Sequence, residues 1–139
     1  MRLDLYQAET ARIAAEQSAL LAQARAIMTQ RNLSLLEQNG VLHALQVLIE
    51  NAIGKAKQSL KSHQQPVPVS AYDTFAALAR TGEIDAASLP DWNAVIGLRN
   101  RIVHDYMNID MDKVMALVTS SHEQFVTAFL LQAPDNNPT

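Results

Sequence analysis

The sequence contains no cysteine, only four glycines and few aromatic residues. Without cysteine, disulfide cross-links and thiol chemistry are excluded, and a reducing compartment is compatible with the chain. No segment approaches the ~20 consecutive apolar residues that cross a bilayer. The first ten residues, MRLDLYQAET, include an acid and no apolar run. We therefore expect a cytoplasmic protein with no secretory signal and no membrane partner.

Positive charge is also scarce. Lysine and arginine number 11 against 14 acidic residues, which gives a formal net charge of -3 and an isoelectric point of about 5.7. A general nucleic-acid binder usually carries a positive surplus, because contacts with phosphates supply most of its non-specific affinity. Any nucleic-acid ligand of this chain must therefore bind at a local basic patch.

The chain is rich in alanine, leucine and glutamine, and no long segment shows the apolar–polar alternation of a strand. The sequence therefore predicts an all-α protein, an up-and-down bundle of four main helices plus a short helix. A length of 139 residues suits one domain. We place this single helical-bundle domain at residues 1–132 and a flexible tail at 133–139.

Apolar periodicity and end signals give the limits of the predicted helices. They cover residues 2–30, 35–60, 71–80, 92–104 and 111–132. Ser34 and Glu37 form a predicted capping box in front of the second helix. Ser70 and Gly82 are predicted to cap the two ends of the short third helix. The prolines between positions 63 and 70 indicate a linker.

The segment GLRNRIVHDYMNID, residues 97–110, concentrates polar groups that are dispersed elsewhere. On a helix of about 3.6 residues per turn, its residues and those just before it fall into two stripes. The core stripe is Trp92, Val95, Ile96, Arg99, Ile102 and Val103. The open stripe is Gly97, Asn100, Arg101 and His104. Because an unpaired buried guanidinium is costly, Arg99 should be paired or should reach into a cleft.

Two side chains of this segment suit RNA cleavage without a metal. A histidine titrates at about 6.5 when unperturbed, so His104 can take a proton from a ribose 2′-hydroxyl and return one. Arg99 presents a fork of donors that fits phosphate oxygens and stays charged. The two residues point roughly 140° apart on the helix. A second copy related by a two-fold axis would supply a second set, and with it both an acid and a base.

The pattern RN-x-x-x-H-x-Y, formed by Arg99, Asn100, His104 and Tyr106 after Gly97-Leu98, resembles the signature of the HEPN superfamily. It most resembles the HepT-like branch. The segments HALQVLIENAIGKAKQSL and SAYDTFAALARTGEID agree, so that the similarity covers about residues 35–130.

The resemblance implies a HEPN-type bundle that works as a homodimeric endoribonuclease. It implies the toxin of a type VII-like HEPN/MNT toxin–antitoxin pair, whose partner is a minimal nucleotidyltransferase antitoxin. Arg99 and His104 would then be the catalytic residues of a composite site at the dimer interface. Tyr106 would be the residue to which the antitoxin transfers AMP.

The other residues of the segment have supporting roles in this hypothesis. Asn100 could orient the imidazole or the phosphate, and Arg101 could contact the RNA backbone. Asp105 could pair with Arg101 or cap the chain after the helix. We expect no cofactor, and no metal because ligand spacings such as His-x-x-x-His are missing from the sequence. A glycine-rich phosphate loop is also missing, so the chain is not expected to be the nucleotidyltransferase itself.

Plainer interpretations stay open. Cations such as Arg99, Arg101 and His104 collect at helix C-termini because they complement the helix dipole. Tyr106 could be an aromatic side chain packed over the helix end. The whole chain could be a non-catalytic helical subunit that docks a nucleotidyltransferase, or a structural bundle with no activity.

Basic residues outside the segment have similar alternatives. Lys55, Lys57, Lys61 and His63 are either helix-end charges or a patch for RNA or the antitoxin. His43 is predicted to be a structural histidine with its hydrogen bonds satisfied.

Overall fold

The computed structural model describes residues 3–133, and all of its regular structure is helical. The six α-helices of this range are α1 (Leu3–Met28), α2 (Leu35–Ser62), α3 (Ala71–Arg80), α4 (Leu89–His104), α5 (Met111–Thr119) and α6 (Gln124–Leu131). Two 3₁₀ turns, Ala86–Ser88 and Tyr106–Asn108, precede and follow α4. No β-strand occurs between residues 3 and 133, and the predicted all-α bundle is confirmed. Residues 134–139 of the predicted tail lie outside the described range, and the single-domain assignment stays a prediction.

The start of α2 is fixed by the predicted capping box. Ser34 Oγ accepts a hydrogen bond from the Glu37 amide at 3.2 Å, and Glu37 Oε1 accepts one from the Ser34 amide at 2.8 Å. Arg31 Nη1 lies 2.7 Å from the same carboxylate oxygen. Hydrogen bonds from Arg31 and then from the Ser34 amide lower the pKa of Glu37 to about 2. The α1–α2 turn is therefore held by backbone caps and by an ion pair.

The core surrounds α2, which packs against α1, α3, α4 and α6. Aromatic rings pack together where α3, α4 and α6 meet in this core. Phe75 of α3 stacks on Trp92 of α4 with ring centroids 4.2 Å apart, and Trp92 meets Phe125 and Phe129 of α6 edge-on at 4.9 and 5.1 Å. Such geometries are the favourable ones for aromatic pairs. The first half of α4 is thereby fixed in the core.

Helix α4 begins at Leu89, whereas the sequence predicted a start at Trp92. The difference arises because the sequence prediction places Pro90 in the connection before α4. Proline is tolerated in the first turn of a helix, where its missing amide hydrogen has no partner in any case. The extra turn at the start of α4 leaves the position of the GLRNRIVHDYMNID segment unchanged.

The single last helix predicted for residues 111–132 is wrong, because the chain breaks after Thr119. Ser121 adopts a left-handed conformation with φ of 58°. The His122 amide donates to the Leu117 carbonyl at 3.0 Å and the Ser121 amide donates to Val118 at 3.0 Å, the pattern of a Schellman motif. The prediction missed this stop because serine, and not glycine, occupies the left-handed position.

Between residues 3 and 133, no individual helix is long and apolar enough to cross a bilayer. Taken together, α5 and α6 would have the length and composition of a membrane span, but the pair is bent by 58°.

The end of α6 is held by Lys55 of α2. Its ammonium group donates to the carbonyls of Phe129 at 2.7 Å and Leu130 at 3.3 Å, and also to that of Gln132. Burial lowers the pKa of Lys55 to about 8. The suggestion that Lys55 belongs to an RNA-binding patch is therefore wrong, because the side chain is buried and caps a helix.

Candidate functional site

The site predicted from the sequence lies where α4 ends. Asp105 leaves helical geometry with φ of -145° and ψ of 46°, and its amide still donates to the Arg101 carbonyl at 2.8 Å. The Asp105 carboxylate accepts a hydrogen bond from Asn108 Nδ2 at 2.7 Å. Asp105 thus occupies the C-cap position of α4 and makes no ion pair with Arg101 within residues 3–133, while its carboxylate binds the Asn108 side chain and caps no backbone amide of the 3₁₀ turn Tyr106–Asn108.

Arg99 is half-buried near this end of α4. Its Nη1 donates to Asn100 Oδ1 at 2.8 Å, while its Nε is buried without a hydrogen-bond partner. A buried donor without a partner is costly, so an incoming acceptor such as a phosphate oxygen would remove a penalty present in the free chain. Asn100 supplies a neutral hydrogen-bond partner, and within residues 3–133 no carboxylate pairs with the Arg99 guanidinium, so the expected ion pair is absent there.

His104 is the last residue of α4 and is exposed to solvent. Within residues 3–133 no hydrogen bond holds its imidazole, and Asn100, proposed to orient it, is bound to Arg99 instead. The imidazole is therefore free to approach a ligand. Its position relative to Arg99 follows from the helix, on which the two side chains point in different directions.

Val103 differs from its predicted place in the core stripe, since 46% of it is exposed. Its neighbour Ile102 in the same turn is buried in the core at 7% exposure, so the end of α4 packs on the Ile102 side and is open on the Val103 side. Met107, which follows in the 3₁₀ turn, is 89% exposed. The segment thus presents apolar side chains to solvent next to His104.

Tyr106 is tied to the start of α2. Its hydroxyl donates to Asn39 Oδ1, and 46% of the residue remains exposed. This contact joins the turn after α4 to the start of α2, although the two residues are 67 positions apart in the sequence. No sequence pattern marks Asn39, a polar residue in the first turns of a helix, so only the fold could identify it. His43, one turn further along α2, is exposed, and the prediction that it is a satisfied structural histidine is wrong.

Two of the four remaining basic residues have structural contacts, and two are exposed. Lys57 Nζ donates to the Val69 carbonyl at 3.0 Å and holds the linker. His63 Nδ1 lies 2.9 Å from Glu83 Oε1. Lys61 is exposed at the end of α2, and Arg101 is exposed in a groove between α4 and α5. Across residues 3–133, histidine and acidic side chains form no group of three that could hold a metal ion.

Comparison with known families gives the chain its class. The family described as ribonuclease HepT-like matches residues 14–130. The chain belongs to the HepT-like ribonuclease family. The resemblance to the HepT-like branch of the HEPN superfamily is thereby confirmed.

The HepT-like chain is also similar to a curated protein. It is 32% identical over 88 residues to the mRNA nuclease HepT of Shewanella oneidensis. The matched region is 63% of this chain and 66% of the relative, just under two thirds of the relative's length.

Solved structures agree on the fold. A tri-AMPylated HEPN toxin of Shewanella oneidensis in complex with an MNT antitoxin aligns with a TM-score of 0.80 at 24% identity, over 90% of this chain and 93% of that one. A toxin–antitoxin structure with AMP-PNP aligns with a TM-score of 0.76 at 22% identity, over 90% of this chain and 97% of that one. Because both sequence identities are below 25%, these similarities show a shared fold alone.

Proposed function

We propose that this HepT-like chain is the ribonuclease toxin of a type VII-like HEPN/MNT toxin–antitoxin pair and cleaves RNA without a metal. The observation that carries the proposal is the end of α4. There a half-buried Arg99 has an unpartnered Nε five positions before the exposed, unrestrained imidazole of His104. Membership of the HepT-like ribonuclease family supports the same chemistry.

In the proposed reaction His104 takes the proton of a ribose 2′-hydroxyl. The freed oxygen attacks the adjacent phosphorus, and the bond from phosphorus to the 5′-oxygen breaks after a proton is delivered to that oxygen. The products are a 2′,3′-cyclic phosphate and a 5′-hydroxyl end. Arg99 donates to the phosphorane oxygens, where charge develops, and needs no metal to do so.

The acid and the base are two groups, and the motif supplies one histidine per chain. We place the second in another copy of the chain, so that a homodimer builds one composite cleft. The exposed apolar side chains Val103, Tyr106 and Met107 lie beside His104, and Leu36 lies one turn before Asn39 on α2. An exposed apolar patch of this kind is typical of a protein interface.

The proposed partner is a minimal nucleotidyltransferase that switches the site off through Tyr106. The Tyr106 oxygen would attack the α-phosphorus of ATP, pyrophosphate would leave, and the phenolic proton would pass to a base of the antitoxin. Half-exposure of Tyr106 supports access to the hydroxyl. The added phosphate would place negative charge next to His104 and repel RNA. The tri-AMPylated state of the Shewanella toxin supports this chemistry for the fold.

Cleavage by the purified chain in the presence of a chelator tests the proposal. We expect the parent to cut single-stranded RNA, His104→Ala to lose at least ~100-fold in rate as a general base is removed, and Arg99→Ala to lose a similar factor. Arg80→Ala, which removes one exposed positive charge from the end of α3, is the matched control. Equal cleavage by parent and His104→Ala would sink the assignment.

The same preparations test the switch. Incubation with the nucleotidyltransferase and ATP should add AMP to the parent and abolish cleavage. In the Tyr106→Phe variant, the fragment that contains residue 106 should keep its unmodified mass. If intact-mass and fragment analysis placed AMP elsewhere, Tyr106 would lose its proposed role.

A second candidate is a non-catalytic helical subunit that docks a nucleotidyltransferase. The net charge of -3 favours it, because general RNA binders are basic. Tight complex formation by a chain that fails to cleave RNA would select this function over the first.

A further inference from the structure

A groove runs between α4 and α5, because the two helices stand apart. No Cα atom of α4 comes within 8 Å of one in α5. The space has a volume of about 430 Å³, within the range of ~300–1,000 Å³ typical of ligand sites. Its main lining residues are Gly97, Leu98, Arg101, Lys113, Val114 and Leu117.

The groove leads towards His104. Gly97, Arg101 and His104 are spaced four and then three residues apart, so they lie along one side of α4. Arg101 precedes His104 by about 4.5 Å of helix rise. A ligand in the groove would therefore end within reach of the imidazole. At Gly97 the helix lies close to α3, since a Cβ atom placed there would be 3.5 Å from the Tyr72 hydroxyl, an ordinary contact distance.

Charge in the groove favours an anionic ligand. Arg101 and Lys113 are exposed, and within residues 3–133 neither side chain has a hydrogen bond or an ion pair. The third charged residue of the lining is Asp110, whose Oδ1 accepts from the Lys113 amide at 3.3 Å as a helix cap. Two cations without an ion pair thus outnumber one carboxylate in a lining that is otherwise mostly apolar.

We propose that this groove binds one nucleotide of single-stranded RNA next to the scissile phosphate. The base lies against the apolar walls formed by Leu98, Val114 and Leu117, and the phosphate lies between Arg101 and Lys113. Splayed bases on apolar or guanidinium surfaces and phosphates on lysine and arginine are the usual contacts of single-stranded RNA. An apolar protein side chain in the groove would leave both cations unpaired. The proposal rests on the ribonuclease function proposed above.

Binding can be measured apart from cleavage in a His104→Ala background, with a fluorescent single-stranded RNA followed by anisotropy. We expect Lys113→Ala to weaken binding and to reduce the slope of log affinity against log salt by about 1, because one phosphate contact is lost. Ala94→Trp, at an exposed position in the groove lining, should fill the space and weaken binding about fivefold or more. Its salt slope should not change, because no charge is removed. Arg80→Ala should bind with the affinity of the background protein.

The outcomes separate this proposal from the ribonuclease function. Cleavage by the parent, together with normal RNA affinity of Lys113→Ala and Ala94→Trp, would overturn the nucleotide groove alone. Loss of affinity in both variants without any cleavage by the parent would support the groove and contradict the nuclease. If both variants kept RNA affinity and lost binding to the nucleotidyltransferase, the groove would be a protein-docking surface and the proposal would fail. Circular dichroism on each variant establishes that its fold is retained.

Discussion

Glu123 brings a carboxylate into the interior at the break between α5 and α6. It is 2% exposed, and its Oε1 lies 2.7 Å from Arg25 Nη1. Its Oε2 is buried without a hydrogen-bond partner. Burial raises the pKa of Glu123, and the charge of Arg25 opposes that rise. The desolvation of this carboxylate is therefore only partly compensated by its ion pair.

The raised pKa predicts a pH dependence of stability. Between about 4.5, the usual pKa of a glutamate, and the raised value, the folded chain binds more protons than the unfolded chain. The free energy of unfolding therefore falls as the pH rises through this window. Glu123→Gln removes the effect, so the stability of the parent relative to this variant should decrease from pH 4 to pH 7. Urea unfolding of both proteins at each pH measures the difference.

Glu37 is the matched control, with the opposite sign. Its pKa is lowered to about 2 by Arg31 and by the Ser34 amide, so its contribution to stability is complete above about 4.5 and is lost as the pH falls towards 2. The parent should therefore gain stability relative to Glu37→Gln as the pH rises through this window. The same direction of change for both glutamate variants would contradict the assignment of Glu123 as a desolvated carboxylate.

Within residues 3–133, three helices end in the same way. After α2, α3 and α5 the chain passes through one residue with positive φ, respectively Gln64, Gly82 and Ser121. In each case the amide of the next residue donates back five positions to the helix, to Leu60, Leu78 and Leu117. The shared Schellman geometry satisfies the last carbonyls of all three helices.

Ser121 is the most informative of these positions to substitute. A left-handed backbone costs a residue with a Cβ atom about 1–2 kcal/mol, and the greater freedom of unfolded glycine offsets part of that. Ser121→Gly should therefore raise the free energy of unfolding by about 0.5 kcal/mol. Ser120→Gly, one residue earlier with φ of -79°, should lower it by about 0.5–1 kcal/mol. Equilibrium denaturation decides whether the two neighbours respond in opposite directions.

These ends show how far sequence alone predicts the elements. The stop at Gly82 was predicted, because glycine announces a left-handed position, as were the caps at Ser34 and Ser70. Ser121 carries no such signal, and apolar residues continue on both sides of it, so residues 111–132 looked like one helix. The missing information is tertiary, since α5 packs against α1 whereas α6 packs against both α1 and α2.

At the scale of the whole molecule, the proposed composite cleft requires two copies of the chain. Mixing parent subunits with His104→Ala subunits therefore has a specific consequence. If a large excess of His104→Ala subunits is equilibrated with the parent, nearly every parent subunit will pair with an inactive one. Since each cleft needs both imidazoles, RNA cleavage per parent subunit should fall towards zero.

A matched control uses the exposed apolar residues beside the site. The triple variant Leu36→Asp/Met107→Asp/His104→Ala should sediment as a monomer, and an excess of it should leave the activity of the parent unchanged. Val69→Asp in the His104→Ala background changes an equally exposed residue of the linker and should still suppress cleavage. Unchanged activity of the parent in excess His104→Ala would show that each chain carries its own complete site.

The candidate site was predictable only in part. The spacing of Arg99, Asn100, His104 and Tyr106 was visible in the sequence, and the half-burial of Arg99 followed from the helix wheel. The tie from Tyr106 to Asn39 depends on how α2 crosses the end of α4, and no local pattern encodes it. Lys113 was likewise invisible, because its relation to Arg101 exists only across the gap between α4 and α5.

The break at Ser121 also separates two tasks that a continuous helix would combine. Helix α6 completes the interior, with Val126 and Leu130 almost fully covered, while the outer side of α5 forms one wall of the groove. If RNA lies in this groove as proposed, substitutions at exposed positions of α5, such as Lys113, should alter RNA preference without disturbing the packing of α6. Under that proposal, target preference could diverge between descendants of one ancestor while their stability is conserved.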